Sequence, residues 1–123
     1  MVRPIRILIV EDNDTFRETL QLLFGMSAGI DVVESVATGD EAAAACVEHE
    51  PDIVLMDYRM PGLNGADATR AVLAACPATS VVCLTASVSQ QEVADLEAAG
   101  AVRCLTKDVP FDEIIDAVRR AAA

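Results

Sequence analysis

Five short apolar runs alternate along the chain with five longer segments whose apolar residues recur at helical spacing. The first run, residues 5–10, is apolar except for Arg6, as expected of a parallel strand buried on both faces. A helix is predicted over 14–26, where Phe16, Leu20, Leu23 and Phe24 fall on one stripe. Gly29 lies just past its end. A second strand is expected at 30–36. Thr38 and Glu41 then have capping-box spacing, with Thr38 as N-cap of an alanine-rich helix running to about Glu48. Pro51-Asp52 restarts the chain as a strand over 53–57. Residues 58–65 read as a loop, because Pro61-Gly62 and Asn64-Gly65 are turn dipeptides. A third helix over 66–76 carries Thr69, Val72, Leu73 and Cys76 on one face and is stopped by Pro77. The fourth strand is predicted at 80–85. Ser89 and Glu92 form a second capping box, opening a helix with a thin apolar stripe, chiefly Val93 and Leu96. A helix so weakly anchored shifts at low cost. Gly100 follows as its C′ residue, and the last strand is expected at 102–106. Asp108 is the expected cap of the final helix, with Pro110 in its first turn and Phe111, Ile114, Ile115 and Val118 on its core stripe.

Strands alternating with helices five times predict an α/β fold in which a parallel sheet is covered on both faces. The expected strand order is 2-1-3-4-5. The 123 residues fit one domain, 1–123, with no internal repeat or linker. A hydrophobic content of 53% argues against disorder. No apolar run approaches a membrane span, and Met1-Val2-Arg3-Pro4 leads straight into a strand pattern without a signal peptide. The expectation is a cytoplasmic domain with no membrane partner. A net charge of −11, with Lys107 as the sole lysine, leaves no basic footprint for nucleic acid. Cys46, Cys76, Cys83 and Cys104 form no CxxC pair, and with His49 as the lone histidine a zinc site is not expected. Four reduced, mostly buried thiols are the plainer reading. Cys83 and Cys104 fall on strands that the expected order makes neighbours, which leaves a redox pair open.

Four of the runs end in chemistry. The first is followed by Glu11-Asp12, the third ends in Asp57, the fourth in Thr85, and the fifth leads to Lys107. Open α/β sheets bind ligands beyond the carboxyl ends of their strands. Each residue alone has an ordinary explanation as a cap, a strand end or a solvated side chain. All of them at one end of different strands require those explanations to coincide. Clustered carboxylates repel, and a hard cation such as Mg²⁺ relieves that repulsion through oxygen ligands. Lys107 supplies a point charge and Thr85 a hydroxyl for phosphoryl oxygens. A carboxylate can itself attack phosphorus. Asp57 is the expected nucleophile because it ends the middle strand, facing the acid pair and Lys107. Glu11 and Asp12 are then the metal ligands, at least one of them through water.

The segments Ile9-Val10-Glu11-Asp12, Met56 to Gly65, Leu84-Thr85-Ala86 and Leu105-Thr106-Lys107-Asp108 resemble, over essentially the whole chain, a two-component response-regulator receiver domain. The resemblance implies a flavodoxin-like (βα)5 three-layer sandwich. It implies that Asp57 accepts phosphate from a sensor histidine kinase. Glu11, Asp12, Asp57 and the backbone carbonyl of Arg59 would organise Mg²⁺. Thr85 and Lys107 would hold phosphoryl oxygens and serve the switch, and Ala86 is small enough to leave the phosphate accessible. Arg59 and Ser87 would flank the phosphate. Such a domain is no enzyme toward external substrates, catalysing only its own phosphotransfer and dephosphorylation. A homodimer through helices four and five, or one and five, is open by family analogy.

Two positions depart from that pattern. The family's aromatic switch residue lies three positions before the lysine, where this chain has Cys104. A thiol cannot give the usual buried-versus-exposed ring readout, so either the switch is altered, with helix four moving without the ring, or the domain is tuned toward one state; an altered but working switch is the expectation. Asp108 replaces a proline common in the family; Lys107-Asp108 with the Arg59-Met60-Pro61 loop resembles receivers attached to NarL/LuxR-type helix-turn-helix output domains. The expectation is the receiver portion of a DNA-binding transcription regulator. The alternative is a stand-alone or degenerate receiver acting as an interaction module. A haloacid-dehalogenase-type or Toprim-type enzyme would need a second acid where Arg59 stands. A Rossmann module would need glycines where Glu11-Asp12-Asn13-Asp14 stands.

Overall fold

The computed structural model describes residues 3–86 and 89–123. Ser87 lies outside the described residues. The elements are β1 (Ile5–Val10), α1 (Asp14–Gly25), β2 (Ile30–Val36), α2 (Ala42–His49), β3 (Ile53–Asp57), α3 (Gly65–Ala75), β4 (Ser80–Thr85), α4 (Gln90–Ala99), β5 (Arg103–Thr106) and α5 (Phe111–Ala122). A single 3-10 turn, Gly39–Glu41, precedes α2. All strand pairs are parallel, in the order β2-β1-β3-β4-β5. This is the expected flavodoxin-like sandwich, and its crossovers place β3 at the centre.

Alternation along the central strands divides the core between two faces. Ile7, Ile9, Leu55, Val82 and Leu84 pack with Leu20 and Phe24 of α1 and Ile114 and Val118 of α5. Leu8, Val10, Val54, Met56, Val81 and Cys83 pack with Cys46 of α2, Val72 of α3 and Leu96 of α4. The apolar runs are nearly unbroken because both faces of β1, β3 and β4 are covered. No helix among the described residues is long and apolar enough to cross a membrane.

Side-chain caps start three of the helices. Asn13 accepts from Phe16 N at 2.8 Å, Asn64 from Asp67 N at 2.9 Å, and Ser89 from Glu92 N at 3.4 Å. Two expected caps do not form. Thr38 Oγ1 donates to Glu41 Oε2 at 2.9 Å, a side-chain bond that diverts both members of the box, and the chain makes the 3-10 turn before α2 begins. Asp108 accepts from the hydroxyl of Thr106 instead of capping α5. Pro110 is therefore the N-cap residue rather than part of the first turn, with no side-chain hydrogen bond; Asp112 and Glu113 in that turn face the positive end of the helix dipole. Val102, expected to open the last strand, is exposed and lies outside β5. Gly100 ends α4 at φ 112°, where a left-handed residue is required.

Candidate functional site

Because β1, β3, β4 and β5 are adjacent and parallel, their carboxyl ends share one rim. Glu11 directly follows β1, Asp57 closes β3, Thr85 closes β4, and Lys107 directly follows β5. The carboxylates of Glu11, Asp12 and Asp57 lie within 4.8 Å of one another. Lys107 Nζ stands 2.6 Å from Glu11 Oε1 and 3.2 Å from Asp57 Oδ2. Glu11 and Asp57 are only 2% and 5% exposed, whereas Asp12 is exposed.

The local backbone fixes each group. Asp57 Oδ1 accepts from Tyr58 N at 2.8 Å, and Glu11 Oε2 accepts from Asn13 N at 3.0 Å. Arg17 donates to the Glu11 carbonyl at 2.8 Å. Lys107 N donates to the Thr85 carbonyl at 2.9 Å, tying the two loops beyond β4 and β5. The Lys107 ammonium also sits 4.9 Å from the centre of the Phe16 ring, within cation–π range.

Burial and the neighbouring Glu11 carboxyl push the Asp57 carboxyl up from 3.8 to about 7, with Lys107 offsetting part of the rise. Burial pulls the Lys107 ammonium down, but Glu11 and Asp57 overcome it and its pKa ends above the usual value. One ammonium thus compensates incompletely for the surrounding carboxylates. The donor set is all oxygen, clustered and electrostatically frustrated, and it fits a hard divalent cation.

Two open grooves flank this centre. One, of about 450 Å³, is lined by Asp12, Tyr58, Arg59, Met60, Pro61, Asn64 and Glu92. The other, of about 530 Å³, is lined by Asn13, Thr15, Phe16, Thr19, Ala86 and Lys107. Ala86 is exposed on the second groove. Arg59 borders the first, its guanidinium held to Glu92 of α4 at 3.0 and 3.4 Å.

Sequence reasoning expected Glu11, Asp12, Asp57, Thr85, Ala86 and Lys107 at one rim, and the structure brings them there. Cys104 is not on the rim. It pairs in register with Cys83 and packs on the sheet face beneath α4. Two positioning residues were missed. A Cβ on Gly65 would lie 2.3 Å from the Asp57 carbonyl oxygen, and Gly65 N donates to Tyr58 O at 2.7 Å. Only glycine lets the start of α3 close against the strand end that carries Asp57. Asn64-Gly65 signals a turn in sequence, but not what the turn approaches. Phe16 reads as a core-stripe residue, and nothing in its spacing announces Lys107.

A family profile for the response regulator receiver domain matches residues 7–119. The transcriptional regulatory protein LnrK of Bacillus subtilis is 38% identical over 114 residues, which cover 93% of this chain and 52% of that protein. The response regulator GacA of Pseudomonas aeruginosa is 33% identical over 119 residues, covering 97% of this chain and 56% of the relative. The chain therefore spans about half the length of the curated relatives it matches. Among solved structures, the signal receiver domain of NarL from Mycobacterium tuberculosis superposes with a TM-score of 0.93 at 31% identity, covering 98% of each chain. A LuxR-family two-component response regulator from Aurantimonas gives a TM-score of 0.91 at 29% identity, covering 97% of this chain and 85% of the other.

Proposed function

The chain belongs to the response regulator receiver domain family of two-component systems, and from that premise we propose that it acts in the cytoplasm and accepts a phosphoryl group on Asp57 from a sensor histidine kinase, in a Mg²⁺-dependent reaction. One observation carries the proposal: a buried strand-end carboxylate lies 3.2 Å from the only lysine, within a three-carboxylate cluster open to solvent through Asp12. In the transfer, an Asp57 oxygen bonds to phosphorus as the histidine nitrogen–phosphorus bond breaks. Lys107 holds a phosphoryl oxygen as its charge develops, and Thr85 offers a hydroxyl from the neighbouring strand. Ala86 leaves the approach open. Asp12 and Asp57, with Glu11 and the Arg59 carbonyl by family resemblance, would hold Mg²⁺, which supplies charge neutralisation between the acids and the incoming phosphate. The protein performs only this transfer and its own dephosphorylation, and is no enzyme toward other substrates.

The added charge biases a bistable element. On this reading α4 is that element, moving without an aromatic ring on β5. The downstream effect is control of transcription through a DNA-binding domain that would be joined to this one, a role supported by relatives that are transcriptional regulators.

Incubation with acetyl phosphate or phosphoramidate and Mg²⁺, followed by intact mass, tests the site. A labile gain of one phosphoryl group that disappears in Asp57→Asn is expected. No gain at saturating donor rejects the proposal and favours a degenerate receiver acting as a constitutive interaction module, the reading that Cys104 motivates. Multiple turnover of an external phosphoester would instead indicate a phosphatase.

A further inference from the structure

We propose that Cys83 and Cys104 form a dithiol redox site, oxidised by hydroperoxides to a disulfide that joins β4 to β5. The two cysteines are direct register partners on adjacent parallel strands, and both face the α2-α3-α4 side of the sheet. Neighbouring strands lie about 4.8 Å apart, inside the roughly 4.4–6.8 Å Cα window that a disulfide spans. Each thiol is near enough to the other to shift its pKa.

The two ends of the pair are chemically unequal. Cys83 is fully buried. Its contact with Cys104, then burial, keep it a protonated thiol. Cys104 is half-buried on a strand at the sheet edge, and the hydrogen bond from Cys83 lowers its pKa despite its burial. Cys104, the more accessible and the more acidic of the two, is thus the attacking sulfur and Cys83 the resolving thiol. The Cys104 sulfur attacks one peroxide oxygen; an S–O bond forms, the O–O bond breaks, and the second oxygen leaves after protonation as water from hydrogen peroxide or as an alcohol from an organic hydroperoxide. The Cys83 sulfur then attacks the Cys104 sulfenic acid. The S–S bond forms, the S–O bond breaks, and the hydroxyl departs as water with the Cys83 proton. The thiols lose two electrons in total, and the peroxide gains them.

A second feature supports the site. Thr69 Oγ1, on α3, is the only buried side-chain polar atom without a well-formed hydrogen bond among the described residues, and it lies close enough to Cys83 to lower that thiol's pKa. A hydroxyl so placed can donate to an oxidised sulfur. The inference does not depend on phosphoryl transfer, and its test uses no phosphoryl donor.

The full chain, reduced and then treated with equimolar hydrogen peroxide, is quenched by alkylation and mapped by mass. Expected are the loss of two hydrogens, one Cys83–Cys104 linked peptide, and alkylated Cys46 and Cys76. Cys46 and Cys76 are also near neighbours, and the buried Cys46 thiol is pushed up to about 11, so they form an internal control. Cys104→Ser should consume peroxide about tenfold more slowly, because the thiolate is the nucleophile. Cys83→Ala should leave a Cys104 sulfenic acid that dimedone captures. Since Cys83 is in the core, Cys104→Ser decides the matter if Cys83→Ala fails to fold. A link at Cys46–Cys76, a disulfide-joined dimer, or parent-like oxidation of Cys104→Ser would overturn the proposal.

Discussion

The helices on opposite faces of β4 and β5 are anchored very differently. α5 buries Ile114, Ala117 and Val118, and its Phe111 ring meets Phe24 of α1 edge-on at 4.9 Å. α4 buries Leu96 alone. One fully buried aliphatic side chain contributes about 1.5–3 kcal/mol, so a helix resting on one such contact sits at the low end of local stability. The acidic rim thus lies between a side that moves only if the whole domain unfolds and a side that can move by itself. What else holds α4 is mainly polar: the Ser89 cap, the Arg59–Glu92 pair and a long hydrogen bond, 3.5 Å, from the Tyr58 hydroxyl to Asp95. A switch needs this inequality, because charge added at Asp57 must displace something without melting the fold.

The sharpest test removes one large contact from each side. Phe24→Ala should cost about 3–5 kcal/mol, the usual range for a fully buried aromatic, and should lower amide-exchange protection across the whole sheet. Leu96→Ala should cost about 2 kcal/mol, the low end for such truncations, because α4 can settle into the space. Its exchange loss should be confined to α4 and the adjacent part of β5. Urea denaturation with residue-resolved exchange measures both. Equal global losses for the two variants would erase the distinction.

The weak side was visible in sequence, since Val93 and Leu96 are a poor stripe at any orientation. So was the rim: parallel strands buried on both faces must be nearly all apolar, and the polar residue ending each run then stands out. What the sequence hid depends on competing partners or on approach in space. Thr38 and Asp108 look like caps, yet each has a nearby side chain that takes its hydrogen bond first. Gly65 reads as a turn residue, but its reason is the Asp57 backbone pressed against it. Phe16 fits a helical stripe equally well with or without an ammonium over its ring.

On the fixed side, Mg²⁺ should act on stability. The Asp57 carboxyl is raised from 3.8 to about 7 in the folded chain, with burial as the main cause. The folded state therefore holds this proton more tightly than the unfolded state. The stability this contributes is complete below about pH 4 and is lost as the pH rises to about 7. The metal-free chain should accordingly be less stable at pH 8 than at pH 5, as far as this group governs. Mg²⁺ at ten times its dissociation constant should restore about 1.4 kcal/mol, read as a rise in thermal midpoint at pH 8. In Asp57→Asn most of that rise should vanish. An unchanged Mg²⁺ response in this variant would place the cation elsewhere.

The loss of phosphate readout in Lys107→Ala is a subtler probe, because it crosses from the fixed side to the mobile one. Lys107 is bonded to Glu11 and Asp57 through its ammonium and to the Thr85 carbonyl through its backbone. Alanine keeps the backbone bond and the carboxylates. The variant should still bind Mg²⁺, and more tightly than the parent, because removing a cation leaves the acids less compensated. It should fail to transmit a bound phosphate analogue to α4. Matching NMR responses of α4 in variant and parent would remove Lys107 from the link.

The smallest expected effect lies at the contact that joins the two sides. Arg59 belongs to the loop that follows β3 and Asp57, while its partner Glu92 is in the first turn of α4. Arg59 is 73% exposed at its side chain, so the pair is screened by water and adds little to folding. Its consequence is positional: it ties a weakly packed helix to the loop bordering the acidic groove. Arg59→Ala should leave the denaturation midpoint within experimental error while raising amide exchange in the first turn of α4. Glu92→Gln should reproduce the effect only in part, since the amide can still accept a hydrogen bond from the guanidinium. Raising the salt concentration should carry the parent toward the variant, because screening weakens the pair and leaves the apolar packing of Leu96 intact. If α4 exchange in Arg59→Ala matches the parent at low salt, the helix is held by Leu96, its cap and the Tyr58–Asp95 contact, and phosphate at Asp57 must reach it by a route other than the Arg59–Glu92 pair.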